Sequence, residues 1–167
     1  MLVPFHTQPA QARVWVYQSS RNLTDSEVQK VNQILDYQLQ NWAAHGAALS
    51  GAVCVLHHRF VIVSVDGSQN MPSGCSIDAS THWLKQIGQQ MNLDFFDRSI
   101  TYLDLNNELQ SIEVNKAKKA ISEELITPNT LIFNNLVQNI EELNTQWQLP
   151  AQESWLKRFF VDLPQNC

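Results

Sequence analysis

The run Phe60-Val-Ile-Val-Ser-Val-Asp66 constrains this chain more than any other stretch. From Phe60 to Val65 it is β-branched and aromatic, with Ser64 the one polar residue, as in a strand covered on both faces. Turn formers fill the segment from Gly67 to Gly74, and Ile77, Leu84, Ile87 and Met91 then recur at helical spacing. Strand, loop and helix start follow in that order. The loop end therefore sets Ser73, Gly74, Cys75 and Ser76 at a helix N-terminus, where unbonded backbone N–H groups and the helix dipole favour an anion or a thiolate.

The rest of the chain organises around this unit as α+β. Ala12-Arg-Val-Trp-Val-Tyr-Gln18 is a first strand, and Thr24-Asp-Ser-Glu27 has the form of a capping box, in which hydroxyl and carboxylate satisfy opposite backbone donors. Val28, Val31, Ile34, Leu35, Leu39 and Trp42 then predict an amphipathic helix stopping near Gly46, with His45 as a cation at its C-terminus. His57-His-Arg59 joins Ala52–Leu56 to the buried strand as an antiparallel hairpin. Asn106-Asn-Glu108 joins Ser99–Leu105 to Leu109–Val114 in a second one.

The order β-α-β-β-α-β over about 12–106 matches a ferredoxin-like split βαβ core with an antiparallel sheet. Beyond it come a short helix (115–125), a strand at Leu131-Ile-Phe133, a helix capped by Asn139 with Glu142, and a tail after Pro150 docked by Trp155, Leu156, Phe159 and Phe160. A chain of 167 residues with no visible linker is expected to be a single domain (1–167), with a sheet-helix core at 12–114 and a helical extension at 115–167.

Charge narrows the partners. A net charge of −5 gives no long-range pull on phosphate backbones or anionic lipids, and Lys116, Lys118 and Lys119 are followed at once by Glu123 and Glu124, so neither nucleic acid nor membrane is expected. The first ten residues have no basic start and no sustained apolar run, so no signal peptide is expected. Cys54, Cys75 and Cys167 are an odd number without CxxC spacing, which suggests neither a disulfide framework nor a zinc site and fits a reducing cytoplasm.

A resemblance rests on Ala12-Arg-Val-Trp-Val-Tyr, Leu23-Thr-Asp, Trp42-Ala-Ala-His-Gly46, Ser73-Gly-Cys-Ser-Ile-Asp78, Phe96-Asp-Arg98, Phe133-Asn-Asn-Leu-Val137 and Ser154-Trp155, in this order over nearly the whole chain. The chain resembles a family of small uncharacterised proteins, seen mainly in Bacteroidetes and often labelled "ABC transporter ATPase". The resemblance implies a bacterial source. None of the five glycines begins the GxxxxGK[ST] run that such an ATPase needs to wrap phosphates, so it implies no ATP chemistry.

Two functional readings follow. The first is a non-catalytic cytoplasmic binding or protein-interaction module that takes a small anion or a protein partner, a homodimer among the options. The second is a small thiol-dependent or anion-binding enzyme. Cys75, Asp78 and His82 fall at i, i+3 and i+7 and share a helix face, so Cys75 would be the nucleophile, His82 or His45 the base and Asp78 the orienter. The same face continues into Lys85, Gln86 and Gln89, as an ordinary solvated face does. Ser73, Gly74 and Ser76, with Arg98 supplying a guanidinium, would bind the anion; the bland reading is a helix cap and an Asp97–Arg98 pair. His57 and His58 point to opposite faces of a strand, so no metal is expected, and no cofactor either.

Overall fold

The computed structural model describes residues 1–161; Cys167 lies outside them. The chain is α+β with antiparallel sheets, and it forms two compact units. The first comprises 1–97 and 135–144, the second 98–134 and the described residues from Thr145 onward.

In the first unit, β1 (Arg13–Gln18) and β4 (Ser50–Leu56) flank β5 (Phe60–Asp66), both antiparallel to it, in the order β1-β5-β4. Position explains composition: as the central strand, β5 is buried on both faces from Phe60 to Val65. Val61, Val63 and Val65 enter a cluster with Val31, Leu35 and Leu39 of α1 (Asp25–Gln40) and Leu84 and Ile87 of α2 (Gly74–Met91). The capping box of α1 is made as the spacing predicts, with the Glu27 amide donating to Thr24 Oγ1 at 3.2 Å and the Thr24 amide donating to Glu27 Oε2 at 2.8 Å.

The end of α1 differs from expectation. The helix stops at Gln40, and Trp42 lies beyond it, buried. Next, β2 (Ala43–Ala44) and β3 (Ala47–Ala48) form a miniature hairpin whose tip is His45 (φ 51°) and Gly46 (φ 81°). Two successive left-handed residues are what a type I′ turn requires, and Gly46 takes its half of that requirement without strain. His45 is thus a turn residue and caps no helix.

Of the expected β-α-β-β-α-β order, a split β-α-β unit is present as β1-α1-β4 with β5 between the strands. A fourth strand on the outer edge of β1 is replaced by two short segments. Val14 N–H donates to Gln138 O (2.9 Å) and Ile140 N–H to Ala12 O (3.1 Å) at one end; Asp97 N–H donates to Gln18 O (3.1 Å) and Ser20 N–H to Asp94 O (2.7 Å) at the other.

The strand expected there, β6 (Ile100–Leu103), belongs to the second unit, in a sheet of order β7-β6-β8-β9 with β7 (Leu109–Ile112), β8 (Leu131–Phe133) and β9 (Gln148–Pro150). Tyr102 pairs with Ile132, a long-range match that local pattern does not reveal, so residues beyond 115 supply strands as well as helices. Ile100, Tyr102 and Ile132 pack with Ala117, Ala120 and Ile121 of α3 (Ala117–Ser122) and with Leu156 of the tail. Phe159 and Phe160 join that cluster, but Trp155 stays 46% exposed. Helix α4 (Ile140–Gln146) starts as expected, the Glu142 amide donating to Asn139 Oδ1 at 2.8 Å. Among the described residues no helix is long and apolar enough to cross a membrane.

Candidate functional site

The start of α2 is built by its serines. Ser73 is the N-cap, its Oγ accepting from the Ser76 amide at 3.2 Å, while Ser76 Oγ donates back to Ser73 O at 2.8 Å. Ser76 is buried, and its carbonyl accepts from Trp42 Nε1–H at 2.9 Å. Trp42 packs edge-on to Trp15 and Trp83, with centroids 6.5 and 5.4 Å apart, so a rigid aromatic cluster holds this helix end. Both serine hydroxyls are committed to the cap. Gly74 and Cys75 are exposed, and their amides, at the first turn, make no hydrogen bond to another described residue.

Cys75, Asp78 and His82 do share an exposed face of α2, and no hydrogen bond joins them. His45, at its hairpin tip, is exposed and forms no bond to Cys75. Arg98 is exposed in the second unit, and Asp97 of the first turns to other partners. Cys54 is the opposite of Cys75: burial pushes its thiol up to about 12, which leaves it protonated and inert at neutral pH. His57 and His58 both adopt left-handed φ in the β4–β5 turn, and His58 Nε2 lies 2.7 Å from Asp25 Oδ1 at the start of α1. Among the described residues no cluster of three His, Cys, Asp or Glu side chains is suited to a metal ion.

Two features of the first unit escaped sequence reasoning. The first is a polar network in the first unit. Arg59, 7% exposed, donates from Nε to Ser19 O (2.6 Å) and from its two other nitrogens to Asn22 Oδ1 and Ser20 O, and stands 3.7 Å from Asp97. Asp97 accepts from Gln18 Nε2 (2.8 Å), and Gln18 Oε1 from Asn135 Nδ2 (2.9 Å). Burial lowers the Arg59 pKa while Asp97 opposes that shift. Two of the motifs behind the resemblance, at Asp97 and Asn135, meet here; their adjacency to turns is the only sequence signal. The second is a shallow cleft of about 360 Å³ at the C-terminal end of α2, lined by Lys85, Gln89, Asn92, Asp94 and Phe96.

The second unit presents a preorganised apolar tip. Between β6 and β7 the Asp104 carboxylate accepts from the amides of Asn106 (2.8 Å) and Glu108 (2.9 Å) and from Gln110 Nε2 (2.9 Å). The Glu108 amide foremost, then Gln110, hold the Asp104 pKa below its ordinary value. Above this braced turn Leu105 is fully exposed, at 105%. No family model, curated protein or solved structure matches the chain.

Proposed function

We propose that the chain is a cytoplasmic bacterial protein that acts as a non-catalytic protein-interaction module. The observation that carries this reading is Leu105. The turn that carries this apolar side chain in water is locked by one carboxylate and three donors, so its backbone has little freedom left to lose when a partner covers Leu105, which lowers the cost of using it as an anchor. Trp155, half exposed with the Arg158 guanidinium 5.4 Å over its ring, offers a second aromatic contact of the kind enriched in interfaces. A benzophenone amino acid installed at position 105 should cross-link a discrete partner in the cell, whereas the same probe at exposed Lys118 should not; equal labelling at both positions refutes the reading.

One observation favours the alternative, a thiol-dependent or anion-binding enzyme: Cys75 is exposed at the first turn of an 18-residue helix with unbonded amides beside it. Iodoacetamide should then modify Cys75 at neutral pH faster than a free thiol, with Cys75→Ser folded as before. A rate no higher than the free thiol removes this alternative.

A further inference from the structure

The two edges of the β1-β5-β4 sheet are treated differently by the chain. The β1 edge is covered at both ends by the segments around Gln138 and Asp97, whereas among the described residues the β4 edge is covered at Gly51 alone, where Gly51 N–H donates to Met1 O (3.0 Å) and Val3 N–H to Gly51 O (2.9 Å). The covering chain then turns away at Pro4 into a short 3-10 helix over Phe5–Thr7. Because Gly51 turns both backbone groups away from β5, strand alternation turns those of Val53 and Val55 the same way, and neither residue makes an outward bond to another described residue. Ala52 to Leu56 carries no charge, no proline and no bulge, the devices that protect an edge from pairing. In the second unit, by contrast, β9 ends on Pro150, and β7 is four residues long with Gln110 and Ser111 at its middle.

We propose that this bare edge pairs antiparallel with the same edge of a second copy, Val53 opposite Val55 of the partner chain and Cys54 on the two-fold axis, so that the two sheets become one of six strands. The proposal rests on the interaction-module reading and names its partner. The boundaries of the bare stretch select the register. Centring on Val53 would require Gly51, whose groups are already bonded, and centring on Val55 would require His57, whose φ of 54° ends the strand. Only the register centred on Cys54 uses every free group, giving two inter-chain hydrogen bonds for each Val53–Val55 pair. With no charge between Ala52 and Leu56, two chains of net charge −5 meet without like charges opposed at the seam.

Sedimentation equilibrium of the whole chain should show the mass doubling as concentration rises, and the Val53 and Val55 amides should exchange with solvent roughly tenfold or more slowly in the dimer than at low concentration. Val55→Pro removes one outward donor without touching the ladder to β5 and should give a folded monomer. If that variant fails to fold, the exchange of the unmodified chain decides. A single-chain mass at all concentrations, slowing at only one of the two amides, or a dimer whose Val53 and Val55 exchange is unchanged overturns the proposal. Such a failure leaves the cross-linking result at Leu105, which tests the module reading on the other unit, standing on its own.

Discussion

Replacing Gly88 by alanine sets helix propensity against packing, and the two predict opposite signs. Gly88 lies inside α2, where alanine is favoured over glycine by about 1 kcal/mol. The helix closes just beyond it: Asn92 takes φ 52°, and the Asn92 and Leu93 amides both donate to Gly88 O, the latter at 2.8 Å. This closure brings the chain back over the glycine, so an added Cβ would stand 2.5 Å from Leu93 O, about 0.9 Å inside ordinary contact at 3.4 Å, and 3.6 Å from the ring of buried Phe95. A carbonyl oxygen on a turn tied at both ends has no rotamer into which to retreat, so the overpacking cost belongs near the top of its usual range, about 3 kcal/mol. Subtracting the propensity gain leaves a net loss of about 2 kcal/mol. Urea unfolding followed by far-ultraviolet circular dichroism should show a lower midpoint at unchanged slope, while Gln90→Ala, exposed on the same helix, should stay within about 0.5 kcal/mol of the parent. A Gly88→Ala midpoint equal to or above the parent would mean that the Leu93 turn yields freely, and the reasoning would fail.

Two further outcomes follow from the polar clusters. Arg59→Met should cost about 3 kcal/mol or more, because it orphans the carbonyls of Ser19 and Ser20 and strips the guanidinium from Asp97; adding Asp97→Asn should recover part of that loss in a double-mutant cycle, and strict additivity would show that the two side chains are not coupled. Glu27 is held at about 2, foremost by the Arg21 guanidinium and then by the Thr24 amide. Because its folded value lies below the ordinary 4.5, its contribution is complete above 4.5 and is lost as pH falls through about 2. The stability difference between the parent and Glu27→Gln should shrink over that window in unfolding curves taken at successive pH values; a constant difference would contradict the pairing.

Much of the fold was legible because it is local. The Phe60–Val65 run, the Thr24–Glu27 box, the Asn139–Glu142 cap and both hairpin turns each lie within a few residues, where a single backbone requirement selects the side chains. What was not legible is non-local or conformationally rare. Trp42 fits the apolar stripe of α1 in sequence, yet its indole reaches Ser76 from beyond the helix end, and nothing in Ala-Ala-His-Gly marks His45 for a left-handed turn as asparagine would. The pairing of Tyr102 with Ile132, and the meeting of Gln18, Arg59, Asp97 and Asn135, join residues far apart along the chain, so no periodicity announces them. Of the candidate site, the cap at Ser73 and the exposed face of Cys75, Asp78 and His82 were readable; the braced Leu105 turn was not, because an exposed leucine between polar neighbours looks like noise until Asp104 is seen to gather its three donors.

The border of β1 has a consequence for biosynthesis. Its covering segments arrive late: Asp94–Asp97 follows the first three strands of that sheet, and Gln138–Glu141 emerges only after the residues that make β6, β7 and β8. A ribosome releasing the chain from its N-terminus therefore completes the β1-β5-β4 sheet and then waits through more than seventy further residues, from Asp66 to Gln138, before that border is sealed. A polypeptide halted in that interval, or truncated at residue 97, lacks the cover that Gln138 and Ile140 give to the Ala12–Val14 end of that border, so the nascent intermediate offers a stretch of open strand edge that the later residues close.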